Sequence, residues 1–197
     1  MTAPDSRLAG HLRTLEQTRK KIEGLFRKGL LVRRDVERVY EGLYLDAVTS
    51  FEAAIEDLFI RIITNRASPT GVTARVSFRS SQIARDIMLG GERKYLDWFP
   101  YNKTEQRAKA FLRGGQPFTR LSSTQRNKLD DIIVIRNAIA HKSSHSKKKF
   151  QNLVNSLPLH PREKTPAGFL RSRIDVNTTR YQFYSREMIN IIRLLCR

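Results

Sequence analysis

Arg136, Asn137 and His141 are the residues of this 197-residue chain whose types and spacing could do chemistry. They stand in the string Arg136-Asn137-Ala138-Ile139-Ala140-His141, directly after the apolar run Ile132, Ile133, Val134, Ile135, where packing alone would call for more apolar residues. Histidine takes and gives a proton near neutral pH, and arginine offers a fixed fork of donors to a phosphate whose charge rises in the transition state. The pair suits phosphodiester cleavage. No metal is demanded when the attacking group is a ribose 2′-hydroxyl already inside the substrate, so the chemistry points to RNA rather than DNA.

On a helix turning about 100° per residue, Asn137 and His141 lie one turn apart on nearly one line, whereas Arg136 and His141 are about 140° apart. The spacing therefore predicts that Asn137 hydrogen-bonds and orients the imidazole. Arg136 and His141 can serve one phosphate if the helix unwinds near Ala140, or if two copies of the helix meet and each contributes part of the site. The competing reading is structural. His141 would interact with the last helical carbonyls, and Arg136 would find a carboxylate such as Glu52, Glu56 or Asp57.

The elements that must position these residues read as helices. Leu8, Leu12, Leu15, Ile22, Leu25 and Phe26 fall at helical spacing up to about Lys28, and Gly29 closes the segment. From Val36, the positions Tyr40, Leu43, Ala47, Phe51, Ala54, Leu58 and Ile62 repeat by threes and fours beside a second stripe of Val39, Val48, Ile55 and Phe59, which predicts a long helix with partners on two sides. Ser122 and Gln125 form a capping-box pattern that opens a helix from Gln125 to about His141, apolar around most of its circumference. Such a helix is central in a fold, at a subunit interface, or both. Met188, Ile191, Ile192 and Leu195 mark one face of a last helix.

Between the long helix and the motif helix, residues 65–121 read as an irregular insertion. Val72, Ala74, Val76 and Phe78 alternate with polar residues, an extended pattern with no second strand to pair it. Ser81 caps a short helix to Leu89, a helical piece runs through Tyr95, Leu96, Trp98 and Phe99, and Asn102 with Glu105 resembles a capping box for a helix to Leu112. After the motif, His141 to Lys149 reads as a basic polar loop, followed by a stretch punctuated by Pro158, Pro161 and Pro166. The whole predicts one all-α domain over 1–197, an antiparallel bundle of four to six helices.

Composition narrows the partners. A formal net charge of +18 favours an anion, above all the phosphate backbone of a nucleic acid. A membrane surface would need a basic amphipathic helix or a lipidation motif, and neither is evident, nor is an apolar stretch long enough to span a bilayer. Met1–Asp5 lacks the basic flank and apolar core of a secretory signal, and Cys196 has no second cysteine to pair with, so a reducing, cytoplasmic setting is expected. The histidines His11, His141, His145 and His160 lack a metal-binding pattern, and no cofactor or metal is expected. Lys142, His145, Lys147, Lys148 and Lys149 begin where the motif ends and are the candidates for gripping RNA beside the cut. A solvated loop is the alternative for that run. Tyr95, Trp98, Phe99 and Tyr101 could stack bases or pack against the bundle, and Arg75 and Arg79 could reach phosphates or line a solvated edge.

An Arg-Asn-x-x-x-His string closing an apolar helix, preceded by long amphipathic helices, resembles the HEPN superfamily, whose members carry an Arg-x(4–6)-His motif in an antiparallel helical bundle. The layout looks closest to the RiboL-PSP type. The resemblance implies a homodimer that brings two motifs into one cleft, and metal-independent RNA cleavage leaving a 2′,3′-cyclic phosphate and a 5′-hydroxyl. Arg136 would then position and stabilise the scissile phosphate, His141 would act as general acid or base, and Asn137 would orient or contact the substrate. Many such proteins are toxins or antiviral effectors, which implies an antitoxin or regulatory protein as a partner. Some have lost catalysis, and a non-catalytic nucleic-acid-binding module on the same bundle is the principal alternative. A helical adaptor whose basic face meets an acidic protein is another.

Overall fold

The computed structural model describes residues 3–90, 95–141 and 143–197, and these are all-helical, with no strands. Among the described residues eight α-helices are formed where four to six are expected: α1 (Pro4–Arg27), α2 (Arg33–Ile63), α3 (Ser81–Leu89), α4 (Tyr101–Phe111), α5 (Ser123–Ala140), α6 (Ser144–Asn155), α7 (Pro166–Arg171) and α8 (Arg180–Cys196). The two additions are α6 and α7. No helix among the described residues is long and apolar enough to cross a membrane. The sequence predicts one domain over residues 1–197. Its contacts group into two compact units, one of Met1–Arg7, Phe51–Asp130 and Asn190–Arg197, the other of Leu8–Ser50 and Asp131–Ile189.

The second of these units carries the motif. Its α1 portion ends where Gly29 takes a φ of 72°, a left-handed value that side chains disfavour, and the amide of Leu30 then closes on the Leu25 carbonyl. In its part of α2 the apolar stripes are buried as the spacing predicts, with Val36, Tyr40, Tyr44 and Ala47 fully inside. Tyr40 and Tyr44 pack edge-on against Tyr181 of α8 at 5.8 and 6.5 Å between ring centres. Met188 shares that α8 face and is buried. Phe150 of α6 meets Phe169 of α7 at 5.8 Å.

α6 corrects the basic loop expected at 141–149. Ser143 caps the helix by accepting a hydrogen bond from the Ser146 amide, and Ser146, Phe150 and Val154, four residues apart, form its buried face. Lys147, Lys148 and Lys149 fill the interval between the first two positions of that stripe. α7 arises similarly: Thr165 caps it, Pro166 takes the first helical position where no amide is needed, and Ala167 to Leu170 are buried.

The other unit holds the 65–121 segment. Phe59 gathers Trp98 and Phe118 at 5.3 Å each and Phe111 at 6.0 Å. The extended reading near Ala74 holds, and it has a partner after all: Ala74 forms an isolated antiparallel bridge with Leu112, through Arg75 N–H to the Phe111 carbonyl and Arg113 N–H to that of Thr73, both 2.8 Å. The helical piece predicted through Tyr95–Phe99 does not form. The carbonyls of Asp97 and Trp98 instead accept from Arg107 Nη1 and Thr104 Oγ1 of α4, and the Trp98 indole N–H donates to Glu56. Tertiary partners outcompete a short helix here. The α3 cap is Ser80 rather than Ser81, and α4 begins at Tyr101 without the Asn102–Glu105 box, Glu105 being paired with Arg126 at 2.8 Å.

Candidate active site

α5 starts on the capping box the sequence predicts, with the Ser122 amide donating to Gln125 Oε1 at 2.8 Å and the Gln125 amide to Ser122 Oγ at 3.3 Å. Leu129, Ile132 and Ile135 are fully buried, while Ile133, Val134, Ala138 and Ile139 are half-buried. Tyr44, sealed in the second unit, donates its hydroxyl to the Ile132 carbonyl at 3.4 Å. That carbonyl is the one an α-helix pairs with the amide of Arg136, so the bond fixes α5 at the turn leading into the motif. Burial, then the neighbouring Tyr184 and Asp131, raises the Tyr44 ionisation well above the ordinary tyrosine range and keeps the phenol a donor.

The helix ends at Ala140. The His141 amide still bonds the Asn137 carbonyl at 2.9 Å, but His141 itself lies past the last helical residue, and its ring is solvent-exposed. Arg136 Nη1 lies 3.1 Å from His141 Nε2 and 3.0 Å from Asn137 Oδ1. Of the two routes the spacing left open for joining Arg136 to His141, this is the end of the helix near Ala140. The 140° separation describes backbone positions, and a long arginine arm spans it. Asn137 does not hydrogen-bond the imidazole as expected; its carbonyl oxygen holds the guanidinium, which in turn meets the ring.

Hydrogen counting makes this arrangement informative. A guanidinium only donates, so Nε2 accepts, and the ring proton in this geometry belongs on Nδ1. Nη1 carries two hydrogens, one for Asn137 and one for His141. The Nε and Nη2 edge, the face that engages a phosphate through two parallel bonds, has no partner among the described residues. Of the carboxylates considered for Arg136, Glu56 accepts from Arg85 and Trp98, and Asp57 accepts from Arg7 and forms an ion pair with Arg61.

The remaining sequence candidates divide. His145, Lys147, Lys148 and Lys149 are exposed on the first two turns of α6, which starts four residues after α5 ends; Lys142 lies outside the described residues. Trp98 and Tyr101 are buried and Phe99 stacks on Phe51 at 6.0 Å, so packing claims these rings, whereas Tyr95 is exposed. Arg75 Nε bonds the Leu112 carbonyl at 3.3 Å. Among the described residues no group of three or more His, Cys, Asp or Glu could hold a metal ion.

Sequence reasoning missed a second charged network, in the unit that holds the motif. Arg19 donates from Nε and Nη2 to the Glu16 carboxylate at 2.7 and 2.8 Å and from Nη1 to the Tyr40 hydroxyl at 3.1 Å; Tyr40 donates to Glu23 at 2.9 Å, and Glu23 accepts two bonds from Arg171. Burial pushes the Tyr40 phenol up to about 12. For Glu23, burial works to raise the carboxyl, but the bonds from Arg171 and Tyr40 outweigh it and hold the group below its ordinary value. The signal lay in the i, i+3 pair Glu16–Arg19, but Arg171 is too distant in sequence to be linked by pattern. Compared with known proteins, the chain matches no protein-family model, no curated protein and no solved structure.

Proposed function

We propose that this chain is a metal-independent endoribonuclease of the HEPN type that acts as a homodimer in the cytoplasm, with a role as a toxin or defence effector under the control of an antitoxin or regulatory protein. The observation that carries the reading is the contact between Arg136 Nη1 and His141 Nε2 at a helix end, with the phosphate-binding edge of the half-buried guanidinium without a hydrogen-bond partner among the described residues. A structural arginine at a helix terminus would be expected to spend that edge on a carboxylate or carbonyl.

In this reading an RNA phosphate docks on the Nε and Nη2 donors of Arg136, and Asn137 keeps the guanidinium in place. When substrate enters, the Nη1 hydrogen that met His141 turns to the phosphate, and the freed Nε2 of neutral His141 accepts the 2′-hydroxyl proton while the 2′-oxygen attacks phosphorus. The P–O5′ bond breaks as a protonated imidazole, that of the second copy's His141, gives its proton to the leaving oxygen, so one ring ends protonated and the other neutral. The products are a 2′,3′-cyclic phosphate and a 5′-hydroxyl. Half-buried Ile133, Val134, Ala138 and Ile139 beside the motif support a second copy as the group that covers them. Lys147, Lys148 and Lys149 supply charge for the flanking backbone, in keeping with the +18 of the chain.

Labelled RNA incubated with the protein in EDTA tests this directly. Cleavage that disappears in both Arg136→Ala and His141→Ala is the expected result. Tight RNA binding without products would replace the enzyme by a non-catalytic binding module, and weak RNA binding with capture of an acidic protein would replace it by an adaptor. Mixing the two inactive variants under subunit exchange tests the shared cleft, since an altered activity is expected only if two copies build one site.

A further inference from the structure

The second unit contains a cavity of about 800 Å³ whose lining includes seven Lys or Arg residues against two Glu. Its walls come from α1, the start of α2, the turn at Pro161–Glu163 and the chain around the end of α7. The formal excess of five positive charges is still three after allowing for Glu16 and Glu37, which pair with Arg19 and Arg33 from outside the lining. Water-filled concavities with that much uncompensated charge focus the field on whatever enters them.

Two further features mark this as a formed site. First, its walls are held independently of any occupant. The buried Tyr40 ring forms part of the lining with its hydroxyl bound between Arg19 and Glu23, and Arg33 Nη2 donates to the Arg162 carbonyl at 3.1 Å. Gly168 lets that carbonyl approach, since a Cβ there would sit 2.2 Å from it. Second, the cations differ in what they already hold. Arg19, Arg33 and Arg171 are tied to carboxylates and Arg173 donates to the Val176 carbonyl, whereas the side chains of Lys20, Arg27 and Arg162 are exposed and have no partner among the described residues.

We propose that this cavity binds a compact oligophosphate, an anion with two or more linked phosphate groups, through Lys20, Arg27 and Arg162. The volume lies in the range of small-molecule sites, and cations converging from four chain segments on one concavity fit a short, densely charged anion better than an extended strand, whose phosphates are spaced along a groove. The site is separate from the Arg136–His141 pair and does not depend on nuclease activity.

Calorimetric titration of the full chain with inorganic tripolyphosphate is the test, run without divalent metal at low and at physiological salt. Saturable one-to-one binding is expected, weakened about tenfold or more in Arg27→Gln and in Arg162→Gln, each of which removes a cation that holds nothing else in place. Lys148→Gln, on the exposed side of α6, is expected to leave binding unchanged, as is His141→Ala, so that loss of the nuclease reading and loss of this one are separable. A nucleoside triphosphate that displaces tripolyphosphate at equal concentration places recognition in the phosphate chain alone; displacement at lower concentration adds the nucleoside. Absence of saturable binding, equal weakening by Lys148→Gln, or variant-sensitive binding of an oligoribonucleotide without terminal phosphate but not of tripolyphosphate would overturn the proposal.

Discussion

Asn137→Ala separates a positioning residue from a catalytic one. In the structure the Asn137 side chain makes no hydrogen bond to the imidazole; its Oδ1 accepts one Nη1 hydrogen of Arg136 at 3.0 Å, and the other points to His141 at 3.1 Å. Removing that acceptor leaves both reacting groups present and loosens the guanidinium between them. A hydrogen bond to a charged group contributes about 1.5–3 kcal/mol, and the half-buried setting places this one at the low end. If the loss falls on the transition state, the rate drops by roughly tenfold, because about 1.4 kcal/mol is a factor of ten. His141→Ala, which deletes a general acid or base, should cost about 10²–10⁴. Arg136→Ala should cost about 10²–10³, as for loss of a donor to developing phosphate charge. Single-turnover cleavage of a fluorogenic RNA in EDTA reads all three, with circular dichroism to confirm that each variant is folded. A loss in Asn137→Ala as deep as in His141→Ala would mean that the amide acts on substrate, and no loss would mean that the clamp is irrelevant; either refutes the positioning argument.

Other consequences concern the scaffold. Phe150→Ala should destabilise the protein by about 3–5 kcal/mol in urea unfolding, because Phe150 is 2% exposed and packs on Phe169; a cost under about 1 kcal/mol would restore the loop expected at this position. Gly168→Ala should lower both stability and tripolyphosphate binding, since its Cβ collides with the Arg162 carbonyl; unchanged melting would show that the turn moves freely. Glu23, with its carboxyl held below the ordinary value of about 4.5, contributes stability that is present above that pH and lost as pH falls through its folded value. Stability of Glu23→Gln should therefore fall less steeply with acid below about pH 4.5, and parallel curves would contradict the assignment. Burial and then Asp5 push the Cys196 thiol up to about 11, so alkylation by iodoacetamide at pH 8 should be much slower than for a free thiol and should accelerate toward pH 11; fast labelling at pH 8 would refute it.

What could be read in the residues followed the physics of periodicity and capping. The double stripe of α2, the Ser122–Gln125 box of α5 and the Met188–Leu195 face of α8 are local patterns, and each appears as predicted. α6 was also legible, in the four-residue spacing of Ser146, Phe150 and Val154, but Lys147, Lys148 and Lys149 placed charge where a loop was easier to see. Tyr95 to Phe99 misled in the opposite sense, because aromatic residues at near-helical spacing were bound by Glu56 and α4 rather than by one another. At the motif, the contact between Arg136 and His141 depends on where α5 stops and on the reach of an arginine, which angular spacing ignores. The charged cavity was invisible in sequence, since its walls are drawn from residues more than a hundred positions apart.

The chemistry of the cut ends is the most direct measurement of the central claim. RNA cleaved by the purified protein in EDTA should carry a 2′,3′-cyclic phosphate and a 5′-hydroxyl, with no product from Arg136→Ala or His141→Ala. Products bearing a 3′-hydroxyl and a 5′-phosphate, or cleavage that survives loss of the His141 ring, would contradict the account.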